Sequence, residues 1–327
     1  MTTTSQNYYR CQLLRADIAG FLASILDGAR VPNVLWGEQA ADIFNDRERN
    51  ALQPRSLEFV IPDEALDTAI RALGFFEDHQ LCLNPNCAWL QAHQGTSVPD
   101  AHFHTPWLSK IPVPTMKMNL QYILNDQDVI GIDTVSLFVK SKVLWWLPDF
   151  SFVSPETNIH MMTAKEYRPW SADWQGMYPF KVLKPTAFIE ALIFLLCRDQ
   201  PYANSGFKYW QKLIYAMTGK YYREEAERPL RPDFRSFWLE LNCLPRWLDE
   251  PWNMLPRMRK KLILANELLP VEFRYNGMPL YPTRELVALD DVENWGKVTG
   301  YFTDPLTAID HYMKQMLMRS FMSYRGK

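Results

Sequence analysis

The segment Arg55-Ser56-Leu57-Glu58-Phe59-Val60-Ile61-Pro62 decides the fold. Its apolar and β-branched residues predict a strand over residues 56–61, and Pro62 ends this strand because proline has no amide hydrogen to donate to a neighbouring strand. Side chains two residues apart on a strand point to the same face of the sheet. We therefore expect Ser56 and Glu58 to lie side by side and to face a cleft.

Helical patterns surround this strand. Residues 8–29 carry apolar side chains at helical spacing. A short apolar run, Val34-Leu35-Trp36, leads into a helix that is expected over residues 38–44. After the strand, Asp63 is placed to cap an amphipathic helix that ends at Gly74. This alternation of helices and strands predicts an α/β unit.

Further strands are expected in the middle of the chain, and mostly helices after it. Residues 116–124 and 129–132 have the alternation or the apolar content of strands, and residues 133–139 fit either a strand or a helix. Further helices are expected over residues 187–197, 209–217, 234–243, 258–269 and 304–324. We therefore place a boundary near residue 180, between an α/β domain of residues 1–180 and an α-helical domain of residues 181–327.

Composition excludes several classes of protein. Lys and Arg number 35 against 37 Asp and Glu, and no long basic run is present to neutralise the phosphates of a nucleic acid. No apolar stretch approaches the ~18–20 residues that span a bilayer. Residues 1–12 lack the apolar core of a secretory signal, and the five cysteines form an odd set. We therefore expect a cytoplasmic protein with reduced thiols, without nucleic-acid binding or membrane insertion.

Two motifs, in this order, resemble the nucleotidyltransferase fold, particularly its form in uncharacterised fungal proteins. The first is Leu35-Trp36-Gly37-Glu38, and the second is the strand segment of residues 55–62. Residues 185–192 and the pair Tyr209-Trp210 also resemble the helical half of those fungal proteins. The resemblance covers residues 20–245. It implies an α+β fold, in which a nucleotidyltransferase-like mixed sheet with flanking helices precedes a mostly α-helical half.

The catalytic pattern of that superfamily is incomplete in this chain. The family's second strand carries two carboxylates, which hold Mg²⁺ together with a third carboxylate from a later strand. Here Ser56 stands at the first position and Glu58 at the second, and the strand best suited to supply the third offers only Asn119 and Gln121. Glu38 follows the phosphate-binding glycine, where its charge would repel a phosphate. We therefore predict that the fold is retained and that nucleotidyl transfer is lost.

Aromatic richness suggests an apolar ligand instead. The chain has 12 tryptophans, of which Trp36 and one of the adjacent pair Trp145 and Trp146 are candidates for lining a cavity. We hypothesise a cofactor-independent cyclase of the Diels–Alderase (pericyclase) type, acting on an apolar intermediate of fungal secondary metabolism. Such a reaction develops little charge, so it needs orientation and a hydrogen-bond donor rather than a metal or redox cofactor. The candidate catalytic residues are Asn119, Gln121 and Tyr122, and the candidate substrate-binding residues are Trp36, Glu38, Arg55, Glu58, His102, His104, Trp145 and Trp146.

Two other functions stay open. One is a metal-dependent nucleotidyltransferase that uses Glu38 and Glu58 as a reduced set of ligands. The other is a non-enzymatic module that binds a small molecule. A structural interpretation of Glu58, as a carboxylate paired with Arg55 or with a capping amide, competes with every functional one.

The irregular region of residues 79–115 contains Cys82-x4-Cys87, followed by His93, His102 and His104. Thiolate and imidazole are the ligands that Zn²⁺ prefers, so a zinc knuckle is one interpretation. The His-x-His spacing differs from that of a zinc finger, which favours the alternative of buried thiols beside polar histidines. We therefore assign no metal, leave zinc binding open, and retain the two later histidines as hydrogen-bond donors to a ligand.

Overall fold

The structure is a computed structural model. It describes residues 3–44, 56–75, 80–84, 87, 89–90, 98–105, 132–148, 158–166, 178–199, 205–218, 230–243, 251–268, 274–275 and 278–279. The chain divides into two compact units, Met1–Leu255 and Pro256–Lys327. Within the described residues, no helix combines the length and the apolar character needed to cross a bilayer.

The first unit is built from short strands and from helices of very different length. The strands are β1 (Val34–Trp36), β2 (Ser56–Ile61), β3 (Gln80–Leu81), β4 (Ala101–His104), β5 (Thr134–Val139), β6 (Met161–Thr163) and β7 (Lys181–Leu183). The helices are α1 (Thr3–Gly28), α2 (Gly37–Phe44), α3 (Leu66–Gly74), α4 (Lys140–Val143), α5 (Pro185–Asp199), α6 (Ser205–Met217) and α7 (Pro232–Cys243). Helix α8 (Leu255–Leu264) begins at the end of the first unit, and β8 (Arg274–Tyr275) and β9 (Met278–Pro279) form an antiparallel pair in the second.

In the described part of the first unit, seven strands form one mixed sheet, in the order β3-β4-β5-β2-β1-β7-β6. The pairs β2–β5 and β1–β7 are parallel, and the other four pairs are antiparallel. Parallel neighbours require long connections, so strands that are distant in the chain meet at the centre of the sheet. Leu35 of β1, for example, pairs with Val182 of β7.

The register of the strands brings polar residues together on one face of the sheet. Glu58 pairs with Trp36 on one side and with Ser136 on the other, and Ser136 pairs with His102. Directly paired residues share a face, so these four side chains form one row across four strands. A second row on the same face consists of Ser56, Thr134 and His104. We call this face the polar face.

The opposite face of the sheet is apolar and buried. It carries the fully buried side chains of Leu57, Phe59, Phe103, Val135 and Leu137. Helix α3 ends over this face, since a Cβ at Gly74 would lie 3.9 Å from the Phe103 ring. The amphipathic pattern of α3 thus buries Ala69 and Leu73 and leaves its other side to solvent.

Helices α5 and α6 pack against the polar face beside β1. The Trp36 ring lies 4.9 Å from the ring of Phe188 on α5 and 6.3 Å from that of Trp210 on α6, measured between centroids. Every residue of α5 from Ala187 to Asp199 is buried, so this helix lies in the interior of the unit.

The predicted mixed sheet with flanking helices is confirmed as a mixed α/β fold. The predicted strand over residues 56–61 is β2, and residues 133–139, which left helix and strand open, give β5. The first unit includes β7 and α5, which follow residue 180 in the chain. The predicted strand over residues 116–124 and the predicted helix over residues 304–324 lie outside the described residues.

Candidate functional site

Two cysteines and two histidines meet at one edge of the polar face. One ligand atom from each of Cys82, Cys87, His102 and His104 lies within 4.8 Å of the other three. His102 and His104 alternate along β4, so both imidazoles point to the same side of the sheet. Cys82 follows β3 directly, and its backbone N–H donates to the carbonyl oxygen of His102 at 2.9 Å. The β3–β4 pairing therefore fixes three of the four residues.

Cys87 is the fourth residue of this cluster, which we call the Cys2His2 cluster. Its backbone N–H donates to the carbonyl oxygen of Asn84 at 3.1 Å. The Cys87 Sγ atom lies 3.4 Å from the Nε2 atom of His104. The Trp89 ring stacks on the ring of His102, with 5.2 Å between the ring centroids.

The two thiols of the cluster differ in acidity. Burial raises the pKa of Cys87, but hydrogen bonds to the backbone of Leu90 and Trp89 and to the Cys82 side chain leave it below its ordinary value. Burial and the Cys87 side chain raise the pKa of Cys82, although a backbone hydrogen bond at Asn84 lowers it in part.

The arrangement fits a tetrahedral zinc ion. Zinc binds thiolate sulfur at about 2.3 Å and imidazole nitrogen at about 2.0 Å, so its ligand atoms lie about 3.3–3.8 Å apart. The four atoms of the cluster are already within 4.8 Å of one another, so small side-chain rotations bring them to those separations. Soft sulfur with imidazole suits zinc and does not suit Mg²⁺ or Ca²⁺, which take oxygen ligands.

A second group of polar side chains surrounds Glu58, further along the polar face. Glu58 is only 2% exposed, and the Tyr209 hydroxyl of α6 lies 2.8 and 2.9 Å from its two carboxyl oxygens. Beside it, Lys212 donates to the carboxylate of Glu38, and this pair is partly exposed. We call Glu38, Glu58, Tyr209 and Lys212 the acid cluster.

The acid cluster keeps Glu58 protonated. Burial, with a smaller contribution from the charge of Glu38, raises the pKa of Glu58 to about 8, although the Tyr209 hydrogen bond and the Lys212 charge lower it in part. Burial and the neighbouring carboxyl groups raise the pKa of Tyr209 well above its ordinary value. At neutral pH Glu58 is thus a neutral carboxylic acid that can donate a hydrogen bond.

The predicted site residues fall into separate places. The structure brings Trp36, Glu38 and Glu58 together, whereas His102 and His104 belong to the Cys2His2 cluster. Trp145 and Trp146 follow α4 and pack on Phe194 of α5 at 5.8 and 5.6 Å, away from the Phe188 ring that Trp36 contacts. Arg55, Asn119, Gln121, Tyr122 and His93 lie outside the described residues.

Two residues beside Glu58, namely Ser136 and Tyr209, were not predicted from the sequence as site residues. Strand β2 is paired on both sides, by β1 and β5, and the residue beside Glu58 on β5 is Ser136. The alternation of Thr134-Val135-Ser136-Leu137 carried that signal. Nothing in the sequence around Tyr209 indicates that its hydroxyl reaches Glu58.

Comparison of this chain with models of protein families, with curated proteins and with solved structures found no match.

Proposed function

We propose that the chain is a zinc-binding protein, in which the Cys2His2 cluster holds one structural Zn²⁺. The observation that carries this proposal is the convergence of four soft ligand atoms, from Cys82, Cys87, His102 and His104, within 4.8 Å of one another. His102 and His104 lie on β4, whereas Cys82 and Cys87 follow β3 and are at least 15 residues away in the sequence, so the convergence is not a consequence of nearness in sequence alone.

A structural role fits the ligand number better than a catalytic one. Structural zinc sites use four protein ligands, whereas catalytic sites leave one position for water or substrate. Two thiolates also neutralise the charge of the ion, which lowers the cost of placing it beside buried groups. The bound ion would tie Cys82 and Cys87 to β4, at an end of the strand order where β3 contributes only two residues.

Metal analysis of the purified full chain tests this proposal. We expect one zinc per chain after dialysis against zinc and removal of the excess, and we expect the double variant Cys82→Ser/Cys87→Ser to bind none. Cys197→Ser is the matched control, since Cys197 is a buried cysteine on α5 outside the cluster. Replacement of zinc by Co²⁺ should give the intense visible bands of tetrahedral thiolate coordination.

The outcome that contradicts the proposal is equally direct. A wild-type protein that folds, by circular dichroism, yet binds neither Zn²⁺ nor Co²⁺ would overturn it. Thermal unfolding gives a second readout, because zinc at 100 times its dissociation constant adds about 2.7 kcal/mol to the free energy of unfolding. If the double variant does not fold, this shift in the wild-type protein decides the matter.

A second candidate function, the cofactor-independent cyclase on a nucleotidyltransferase-like scaffold, draws support from the acid cluster. A protonated Glu58 with a pKa of about 8 can donate a hydrogen bond to a substrate carbonyl. The rings of Trp36, Phe188 and Trp210 provide apolar surroundings next to it.

Thermal unfolding with ATP and Mg²⁺ separates the cyclase from the nucleotidyltransferase. The cyclase proposal predicts no change in the unfolding temperature, whereas a saturable rise that Glu58→Gln abolishes would favour the transferase. A linear triene bearing an enone supplies the positive test, because a cyclase should bias the stereoisomers of its Diels–Alder product. An unchanged product ratio for this compound and its homologues would count against the cyclase.

A further inference from the structure

The two cysteines of the Cys2His2 cluster differ in their access to solvent. Cys82 is half-buried, and the next residue, Leu83, is 83% exposed. Cys87 is only 7% exposed. A small oxidant therefore reaches Cys82 from solvent more readily than it reaches Cys87. The sulfur atoms of the two residues lie within 4.8 Å of each other.

We propose that Cys82 and Cys87 are a reversible modification site, in which a peroxide converts the two zinc ligands into a disulfide and expels the metal. This inference rests on the proposed function for its metal-release step. Thiolate sulfur is the site of reaction in both steps, since the thiolate and not the thiol is the nucleophile.

The local backbone suits such a bond. The Cys87 backbone N–H donates to the carbonyl oxygen of Asn84, and Cys82 Sγ lies 3.9 Å from that same oxygen. The two sulfur atoms lie within 4.8 Å of each other. A disulfide has a sulfur–sulfur distance of about 2.05 Å, so its formation requires the two sulfurs to approach by less than about 3 Å.

The chemistry balances with hydrogen peroxide as the oxidant. The Cys82 thiolate attacks one peroxide oxygen, which forms an S–O bond, breaks the O–O bond and releases hydroxide that a solvent proton converts to water. The Cys87 thiolate then attacks the Cys82 sulfur, which forms the S–S bond and expels a second hydroxide, again protonated to water. Two electrons pass from the two sulfurs to the peroxide, and Zn²⁺ leaves as the free ion.

Release of the ion follows from the ligand count. Oxidation removes both thiolates together and leaves only His102 and His104, whereas structural zinc needs four ligands. Because thiols reduce disulfides by exchange, a dithiol with added Zn²⁺ should restore the original site. The pair would therefore report the redox state of its surroundings through the occupancy of one metal site.

The test treats the zinc-loaded full chain with hydrogen peroxide and follows three quantities. A chromogenic chelator measures released zinc, a thiol reagent counts remaining thiols, and non-reducing peptide mapping identifies the bond. We expect one zinc released per chain, two thiols lost and a Cys82–Cys87 linked peptide, with recovery after dithiothreitol and Zn²⁺. Cys197→Ser should behave like the wild-type protein, and Cys87→Ser should trap a sulfenic acid at Cys82 that dimedone labels.

Three results would overturn the inference: zinc release with both thiols intact, oxidation of Cys82 or Cys87 to sulfinic acid without a disulfide, or a disulfide that joins other cysteines. A protein that never holds zinc fails the proposed function separately, and its metal analysis before peroxide shows this. In that case peptide mapping of the metal-free protein still decides whether Cys82 and Cys87 pair. The wild-type map does so even if Cys87→Ser does not fold.

Discussion

Gly37 leaves no room for a side chain beside the acid cluster. Its φ of +68° lies in the left-handed region, and a Cβ built on it would lie 2.1 Å from Glu58 Oε2 and 2.9 Å from the Tyr209 hydroxyl. The glycine thus lets the start of α2 approach a carboxyl group that lies on the neighbouring strand. Any side chain at this position has to displace Glu58 from its hydrogen bond with Tyr209.

We therefore expect Gly37→Ala to lower the free energy of unfolding by roughly 2–4 kcal/mol, from backbone strain together with a lost buried hydrogen bond. Gly28→Ala is the matched control, since a Cβ there meets nothing within 4 Å and the residue ends α1. Urea unfolding of both variants gives the comparison. Equal effects of the two substitutions would show that Gly37 does not support the cluster.

The protonation of Glu58 makes stability depend on pH. Its pKa of about 8 in the folded chain exceeds the ordinary value of 4.5, so between these limits the folded state keeps a proton that the unfolded state has lost. The free energy of unfolding should therefore fall as pH rises through this window, by up to about 1.4 kcal/mol per pH unit. The contribution is fully present below pH 4.5.

Glu58→Gln is expected to remove this slope, because glutamine imitates the neutral acid and does not titrate. Urea unfolding from pH 5 to pH 9 measures the difference between the variant and the wild-type protein, in which all other titrating groups cancel. Parallel curves for the two proteins would mean that Glu58 is ionised in the folded chain at neutral pH.

At the scale of the elements, a buried ion pair at the end of α5 is hydrogen-bonded to α6. Asp199 accepts from Arg198 Nε at 2.7 Å and Nη2 at 3.1 Å within α5, and both charged side chains are fully buried. The guanidinium also lies 5.4 Å from the Trp145 ring. Asp199 accepts a further hydrogen bond from Trp210 Nε1 of α6 at 2.7 Å, and α6 is the helix whose Trp210 and Tyr209 side chains reach Trp36 and Glu58.

Asp199→Asn should cost about 3–5 kcal/mol of stability, because it leaves the Arg198 guanidinium buried without its counter-charge. Lys212→Met, which removes the partly exposed pair with Glu38, should cost at most about 1 kcal/mol. Urea unfolding of both variants at neutral pH measures the contrast. A small effect of Asp199→Asn would show that neighbouring groups replace the lost charge.

The sequence predicts these elements well where local patterns determine them. Residues 56–61 alternate and end at a proline, which is sufficient for β2, and the apolar run of residues 187–197 is sufficient for α5. The pairing of strands is different. Strands β1 and β7 pair although they are far apart in the sequence, and no local pattern encodes that contact. For the same reason Tyr209 could not be assigned to Glu58.

Across the whole first unit, the Cys2His2 cluster and the acid cluster occupy different parts of one sheet. The metal ligands lie on and beside β3 and β4, at one end of the strand order, whereas Glu58 lies on β2, which is paired along its length with β5. Edge strands with few partners open at low free energy, and central strands open only with the whole fold. Zinc at the edge should therefore stabilise its own neighbourhood more than the centre.

Amide hydrogen exchange with and without zinc tests this separation. After removal of zinc by a chelator we expect faster exchange in residues 80–84 and 98–105, because the metal no longer joins Cys82 and Cys87 to β4. The amides of Ser56–Ile61 should keep their protection, since both neighbours of β2 remain in place. Loss of protection throughout β2 would instead mean that the metal supports the entire sheet. Unchanged exchange at the edge would mean that the four ligands hold together without it, so this one measurement separates a local metal clip from a global one.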